Sequence, residues 1–330
     1  MNSFEKLLSK FQSLRALVIG DLMLDEYISG SASRISPEAP VIVIHRQKRD
    51  LKPGGAANVA QNIVALGAQV ILAGVVGADS DGQTLQEVLK KHHLTTTCIV
   101  EDNSRVTTCK TRVLAGSGHQ VLRIDQENDH PVQENIQKKL IEKISKHLGE
   151  IDVIVISDYY KGAVTEFLVQ EVIAAALKYS IPIATNPKPR SISYYKGAAS
   201  LLSLNRLEAT ECLNYPKLLT KEEAFSAAES LRNQYEADCL VLTLGGEGMI
   251  VASKNRESYH VPAPIVEVYD TAGAGDTVIA AGALGYAASG SGKKVFELAA
   301  QVSSCVVRHL GVATPTQKDL DTIRRLDSIR

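Results

Sequence analysis

Residues 153–185 read VIVISDYYKGAVTEFLVQEVIAAALKYSIPIAT. The stretch begins with a short, almost wholly apolar strand at 153–157, continues through a helical segment at 165–179, and ends in a second apolar strand at 182–185. Strands that are apolar on both faces need cover on both sides, and a helix between two of them lets them pair in parallel. This unit therefore predicts an α/β fold built on a buried parallel sheet.

The same alternation recurs along the chain. Further apolar runs predict buried strands at 16–20 (ALVIG), 70–74 (VILAG), 201–204 (LLSL) and 239–244 (CLVLTL). Helical periodicity fills the intervals at 57–66, 83–92, 132–147 and 221–235. We therefore expect a central, mostly parallel sheet flanked by helices.

Two segments depart from that alternation. Residues 41–46 (VIVIHR) and 107–124 have the pattern of extended strands and a hairpin, with no helix between them. Such segments within an α/β chain predict a small β-sheet lid, contributed by about 22–53 and 97–125. Because no repeat, low-complexity tract or linker divides the sequence, we predict one domain over 1–330.

Composition narrows the classes of function. Lys and Arg number 36 and Asp and Glu number 37, so the basic excess of a nucleic-acid-binding protein is missing and small-molecule partners are favoured. The chain has no apolar run of about 18 residues and no signal-peptide pattern, and we predict a cytoplasmic protein that does not enter a membrane. Five scattered cysteines predict free thiols.

The strongest local motif is DTAGAGDT at 270–277, followed by small and apolar residues. Gly273 and Gly275 let backbone N–H groups point inward at the start of a helix, where free donors and the helix dipole favour an anion. The carboxylate of Asp276 would repel a phosphate there unless it had a chemical task, such as accepting a proton from an attacking hydroxyl. The alternative is that Asp276 only caps the helix.

Two further motifs predict polar contacts with a ligand. The run 53–58 (PGGAAN) places two glycines before a helix, and Asn58 offers a donor and an acceptor to a polyol, although a flexible turn is an alternative. Asp21 follows the strand at 16–20, at the edge where ligands bind in open α/β sheets. Asp25 could share that edge or be solvated.

A glycine-rich turn at 242–248 (LTLGGEG) could pass close to a nucleotide. It lacks the GxGxxG spacing of a dinucleotide-binding turn, and GSGKK at 290–294 does not complete a P-loop. Both common nucleotide-binding motifs are therefore excluded.

Two segments together resemble the signatures of the PfkB/ribokinase family of carbohydrate kinases. They are 54–77 (GGAANVAQNIVALGAQVILAGVVG) and 270–282 (DTAGAGDTVIAAG). The resemblance covers nearly the whole chain and implies a ribokinase-like fold, ATP-dependent phosphorylation of a sugar hydroxyl, and Mg²⁺. It also implies that the lid forms the interface of a homodimer, and it leaves open a monovalent cation near the glycine-rich loop.

The resemblance assigns roles to residues that match the family's motifs. Asp276 becomes the catalytic base, and the backbone of Gly273, Ala274 and Gly275 becomes the anion hole. The run 205–208 (NRLE) is similar to an NxxE motif, in which Asn205 lies at the ATP and Glu208 acts on Mg²⁺ through water. The resemblance places Thr243, Gly245 and Gly248 along the ATP. It places Asp21, Gly54, Gly55 and Asn58 at the sugar hydroxyls.

A narrower resemblance links the chain to bacterial D-glycero-β-D-manno-heptose-7-phosphate kinases. It rests on 21–27 (DLMLDEY), 33–40 (SRISPEAP) and 157–162 (SDYYKG). It implies phosphorylation at O1 to the 1,7-bisphosphate, a step towards ADP-heptose for lipopolysaccharide. The chain lacks the HxGH motif of an appended nucleotidyltransferase, which suggests a stand-alone kinase or a trimmed bifunctional protein.

A phosphorylated acceptor needs cations away from the ATP site. The candidates are Arg34, Lys110, Arg112, Arg123, Lys161 and Lys188, although most surface cations are only solvated. Asn186 stands where the heptose kinases carry an aspartate, so hydrogen bonding is kept there and negative charge is lost. Two alternatives remain open: a kinase of ribose, fructose or a fructose phosphate, and a sugar- or nucleotide-binding regulator without activity.

Overall fold

Strands and helices alternate through most of the chain, as the apolar periodicity predicts. The computed structural model of the chain describes residues 3–116 and 118–326. The strands are β1 (Arg15–Ile35), β2 (Ile42–Gly55), β3 (Gln69–Gly77), β4 (Cys98–Asp102), β5 (Thr108–Ala115), β6 (His119–Gln126), β7 (Val153–Ser157), β8 (Ile183–Thr185), β9 (Leu201–Asn205), β10 (Cys239–Thr243), β11 (Met249–Ser253) and β12 (Tyr259–Val261). The α-helices are α1 (Ser3–Phe11), α2 (Ala56–Ala65), α3 (Ser80–Lys91), α4 (Glu134–Ser145), α5 (Glu166–Tyr179), α6 (Arg206–Cys212), α7 (Lys221–Gln234), α8 (Ala274–Ser289), α9 (Lys293–Val306) and α10 (Gln317–Leu326).

The central sheet has the strand order β12-β11-β10-β9-β8-β7-β1-β3-β4. Its strands pair in parallel from β10 to β4, and only β11 and β12 are antiparallel. Successive residues of β1 pack into different cores, since Val18 lies on one face of the sheet and Leu17 on the other. The predicted α/β fold, with a mostly parallel sheet between two helical layers, is confirmed.

A second sheet extends from the first because β1 continues beyond it. Residues 22–35 of β1 pair antiparallel with β2, residues 23–30 pair parallel with β5, and β5 pairs antiparallel with β6. We call this four-stranded sheet the lid sheet. Residues 98–102, which the sequence placed within the lid, instead form β4 and pair with β3 in the central sheet. The side chains of Cys98 and Val100 are buried in its core, which explains that difference.

Helix α8 is buried along most of its length and packs between α2 and α9. Its small residues permit this close packing; a Cβ on Gly285, for example, would collide with Val295. No helix within the described ranges, α8 included, is long and apolar enough to cross a membrane. The N-termini of α2 and α8 meet at the carboxyl edge of the central sheet, where the candidate site lies.

Candidate active site

Asp276 lies in the first turn of α8 and is 3% exposed. The helix begins after Gly273, whose φ of 80° is left-handed, and no side chain caps it. The Asp276 carboxylate accepts hydrogen bonds from Nδ2 of Asn58 at 2.8 Å and from the Tyr159 hydroxyl at 2.6 Å. Asp276 therefore does not cap the helix, and its charged group lies between α2 and the loop after β7.

Burial raises the pKa of Asp276 to about 6, while the hydrogen bonds from Tyr159 and Asn58 act in the opposite direction. A carboxyl group with that pKa is mostly ionised at neutral pH and is more basic than an ordinary aspartate. It is therefore suited to accept a proton near pH 7.

Asp21 organises the loop that carries Tyr159. Its carboxylate accepts backbone N–H groups of Tyr159 at 2.8 Å, Lys161 at 3.1 Å and Ala163 at 3.1 Å. Burial and the nearby charge of Asp158 raise the pKa of Asp21 to about 6. The assignment of Asp21 to a sugar hydroxyl stays a prediction; in the structure its oxygens accept hydrogen bonds from a protein loop.

An apolar cavity of about 170 Å³ lies beside the N-terminus of α8. The three residues that sequence reasoning placed along ATP all line it: Thr243, Gly245 and Gly248. Val266 and Val268 contribute apolar side chains, and Gly275 also lines the cavity. Its size and lining suit a flat heteroaromatic group.

A polar cavity of about 190 Å³ adjoins the first one and shares Thr243 and Gly275 with it. Charged and hydrogen-bonding groups dominate its wall: Asp158, Tyr159, Asn186, Lys188, Asn205, Glu208 and Asp276. Asn186 Oδ1 is buried and has no hydrogen-bond partner within the part of the chain that the structure describes. The polar cavity thus reaches from the two residues that it shares with the apolar cavity to Asp276.

Glu208 is fixed at the start of α6 by a capping box. The Asn205 side chain accepts the Glu208 N–H at 2.8 Å, and Glu208 Oε2 accepts the Asn205 N–H at 2.8 Å. Its other oxygen, Oε1, accepts from Lys188 Nζ at 2.7 Å. Lys188 was predicted to lie away from the ATP site, but it lies in the polar cavity beside Glu208.

The glycines at 54 and 55 serve close backbone packing. A Cβ on Gly54 would collide with the Asp25 carboxylate, and Gly55 has a left-handed φ of 57°. Neither glycine lines the two cavities described above. Their effect is to bring α2 against β1, so that Asn58 reaches Asp276.

Most of the predicted acceptor cations form ion pairs with carboxylates of the lid sheet or its edge. Lys110 pairs with Asp125 and Glu127 at 3.0 Å each, Arg123 pairs with Asp125 at 2.9 Å, Lys161 pairs with Glu127 at 2.6 Å, and Arg112 pairs with Asp25. Arg34 lies exposed on β1. None of these paired cations lines the apolar cavity.

Sequence reasoning gave no role to Tyr159 or Arg105. Tyr159 contacts Asp276 directly, and Arg105 has a buried Nη1 without a hydrogen-bond partner among the described residues. Tyr159 is the second residue after β7, at the carboxyl edge of the sheet, where ligand-binding groups concentrate in α/β folds. That position was the available signal for Tyr159.

Comparison with known proteins identifies the family of the chain. A family model described as pfkB family carbohydrate kinase matches residues 14–319. The bifunctional protein HldE of Syntrophotalea carbinolica is 40% identical over 318 residues, which cover 96% of this chain and 64% of that protein. The chain thus spans a little under two thirds of the length of this relative.

Two solved structures share the fold at low sequence identity. Phosphofructokinase-2 from Escherichia coli, in complex with fructose-6-phosphate, matches with a TM-score of 0.76 and 22% identity, covering 96% of this chain and 99% of that chain. Arabidopsis thaliana ribokinase, complexed with ribose and ATP, matches with a TM-score of 0.72 and 17% identity, covering 94% and 98%. The ribokinase-like architecture predicted from the sequence is confirmed.

Proposed function

Because this chain belongs to the pfkB family of carbohydrate kinases, we propose that it transfers phosphate from ATP to O1 of D-glycero-β-D-manno-heptose 7-phosphate. The product would be the 1,7-bisphosphate, on the route to ADP-heptose for lipopolysaccharide. The motifs at 21–27, 33–40 and 157–162 and the similarity to bifunctional protein HldE support this acceptor. The class of reaction, transfer of phosphate to an alcohol group of a sugar, follows from the family itself.

A buried, ionisable carboxylate at the mouth of α8 is the observation that carries the proposal. Asp276 accepts the proton of the acceptor hydroxyl as its oxygen attacks the γ-phosphorus of ATP and ADP leaves. Backbone N–H groups of Gly273 and Gly275 stabilise the charge that develops on the transferred phosphoryl group, whereas the Ala274 N–H, also expected there, donates to the Thr271 carbonyl at 3.2 Å. The uncapped N-terminus of α8 and the adjoining polar cavity support these roles.

In this proposal the apolar cavity binds the adenine of ATP and the polar cavity binds its phosphates. Val266 and Val268 would contact the adenine, and Thr243, Gly245 and Gly248 would pass beside it. Lys188 and Asn205 would face the phosphates in the polar cavity. The positive charge of Lys188 would balance the negative charge of the phosphates in this cavity. Its position therefore suits contact with the nucleotide better than contact with the acceptor.

The polar cavity also fits a hydrated divalent cation. Mg²⁺ prefers oxygen ligands and keeps several waters, and the cavity offers the Glu208 carboxylate and the unpartnered oxygen of Asn186. When bound, Mg²⁺ neutralises charge on the transferring phosphates. Glu208 would hold one of its waters. A monovalent cation near the loop, and a cytoplasmic location, stay predictions.

The lid sheet supports a homodimer. Several of its large apolar side chains are exposed, among them Ile35 at 62%, Leu122 at 52% and Ile124 at 54%. Exposed apolar clusters of this kind mark interaction surfaces, and identical chains pair most often about a two-fold axis. We therefore propose that two copies pair through their lid sheets.

The proposal is tested by ADP release with a panel of acceptors: heptose 7-phosphate, the unphosphorylated heptose, fructose 6-phosphate, ribose and fructose. Heptose 7-phosphate should give the highest kcat/KM, and removal of its remote phosphate should lower that value at least tenfold. Phosphorus NMR of the product should show the new phosphate on O1. Preference for fructose 6-phosphate or ribose would identify a different sugar kinase, and tight ligand binding without turnover would identify a regulator.

A further inference from the structure

Tyr159 is hydrogen-bonded directly to the proposed base, Asp276. Its hydroxyl donates to Oδ1 of Asp276 at 2.6 Å, while Asn58 donates to Oδ2 at 2.8 Å. The two donors come from different elements, the loop after β7 and helix α2. A carboxylate held on both oxygens keeps one orientation, because rotation would break both hydrogen bonds.

The position of Tyr159 is set by a tightly held loop. Its backbone N–H donates to Asp21, and the next residue, Tyr160, is left-handed with φ of 57° and donates its N–H to Asp158 at 2.9 Å. At Gly162 a Cβ would collide with the carbonyl of His130. The loop therefore has little freedom to move the Tyr159 ring.

The Tyr159 ring also faces the phosphate side of the site. Nζ of Lys188 lies 5.2 Å from the ring centroid, a distance at which an ammonium group is attracted to an aromatic face. Tyr159 and Lys188 both line the polar cavity. The same side chain thus contacts the proposed base at one point and the proposed phosphate-binding cation at another.

We infer that Tyr159 is a positioning residue for Asp276, whose hydroxyl orients the carboxylate towards the acceptor and stabilises its negative charge. This inference rests on the proposed function of Asp276 as the base. In this interpretation, Asp21 holds the loop that positions Tyr159. Asn58 provides the matching donor from the other side.

Other charged side chains near Asp276 also affect its ionisation. Lys188 favours the ionised form of Asp276, and Asp25 opposes it. Asp158 and Glu208 add negative charge to the wall of the same cavity. Burial raises the pKa of Tyr159 well above 10, so its hydroxyl remains a donor at every pH at which the enzyme would be assayed. Loss of this donor should therefore raise the pKa of Asp276.

The first test compares Tyr159→Phe with the unmodified enzyme across pH 5 to 9. A hydrogen bond to a charged group typically corresponds to about one to two pKa units, so the acid limb of kcat/KM should move upward by that amount. Loss of the ionised form should then lower activity at pH 7 by about two- to tenfold, and this part of the loss should recover at pH 9. A loss of equal size at every pH would mean that Tyr159 only supports packing, and unchanged activity would likewise overturn the inference.

Tyr160→Phe is the matched control, since it removes a hydroxyl from the adjacent position of the same loop. Tyr160 contacts neither Asp276 nor the wall of either cavity. Its variant should keep the pH profile of the unmodified enzyme. A shift as large as that of Tyr159→Phe would assign the effect to the loop as a whole and contradict the inference.

A second readout needs no acceptor. The carboxyl band of Asp276 can be isolated as the infrared difference between the unmodified protein and Asp276→Asn, and then titrated. The same difference in the Tyr159→Phe background should titrate at a higher pH. An unchanged titration overturns the role of Tyr159, whereas failure of every sugar in the acceptor panel would overturn the proposed function and leave this result standing.

Discussion

Gly273 and Asn58 are in contact at the centre of the site, where a Cβ on Gly273 would lie 2.7 Å from Nδ2 of Asn58. That nitrogen is the one that donates to Asp276. The two segments that most resemble the family signatures, far apart in the chain, therefore meet at one carboxylate. Glycine is needed at 273 both for its left-handed φ of 80° and for the space that Asn58 occupies.

Gly273→Ala should lower kcat by about tenfold or more. The added methyl would push Asn58 away from Asp276, and a left-handed alanine costs on the order of 1–3 kcal/mol. Steady-state kinetics and thermal melting check this expectation. Gly149→Ala is the control, because a Cβ there meets nothing within 4 Å and its φ is not left-handed. Equal effects from the two substitutions would contradict the reasoning about Asn58.

Asp276→Asn should lower kcat by on the order of 10²–10⁴, the usual range for loss of a general base. ATP binding, measured by calorimetry, should be kept or strengthened, since the apolar cavity does not include this side chain and the substitution removes a negative charge from the polar cavity proposed to hold the phosphates. Asp129→Asn is the matched control on a side chain that is 69% exposed. Turnover of Asp276→Asn at the level of the unmodified enzyme would remove Asp276 from the mechanism.

Much of the central sheet could be predicted from the sequence because its strands are short apolar runs separated by helical periodicity. The path of β1 could not, since residues 28–33 read ISGSAS and have no apolar alternation to mark a strand. Their conformation depends on pairing with β2 and β5, which are distant in sequence. Residues 98–102 were assigned to the wrong sheet because their position between β3 and the hairpin suits either sheet, and only their pairing with β3 decides it.

The candidate site was predictable where a local motif determines local geometry. The glycines around 273 and the NRLE run at 205–208 illustrate this, since each shapes the start of its own helix. Asp21 was harder, because a carboxylate at a strand end can face a ligand or a loop. Only the fold shows that residues 159–163, far along the chain, bring their N–H groups to it.

The burial of Asp276 predicts a pH-dependent gain in stability for Asp276→Asn. The folded-state pKa of about 6 exceeds the ordinary value of 3.8, so between these values the folded chain binds a proton that the unfolded chain does not. Stability therefore falls as pH rises through this window, and the loss is complete above it. An asparagine avoids the loss, so the Tm of the variant should exceed that of the unmodified protein at pH 8. The difference should close as pH approaches 4, and a difference that persists there would contradict the pKa shift.

Two substitutions at Glu208 separate its capping of α6 from its proposed role at the metal. Gln keeps the capping box but loses the charge, so Glu208→Gln should hold its Tm and need several-fold more Mg²⁺ for half-maximal rate. Glu208→Ala loses both functions and should also lose about 1 kcal/mol of stability. Magnesium titrations of the initial rate, with thermal melts, check this. An unchanged magnesium requirement in the Gln variant would leave Glu208 as a cap alone.

The exposed apolar residues of the lid sheet predict how the chain associates. Leu122 and Ile124 are two positions apart on β6 and therefore project from the same face of the lid sheet. If that face pairs with a second copy, Leu122→Lys with Ile124→Lys places like charges across the interface and should yield monomers in sedimentation velocity. Leu177→Lys is the control, since Leu177 is 74% exposed on α5, outside the lid sheet. A dimer that survives the double substitution would place the interface elsewhere, and a monomeric unmodified protein would show that this face does not pair two copies.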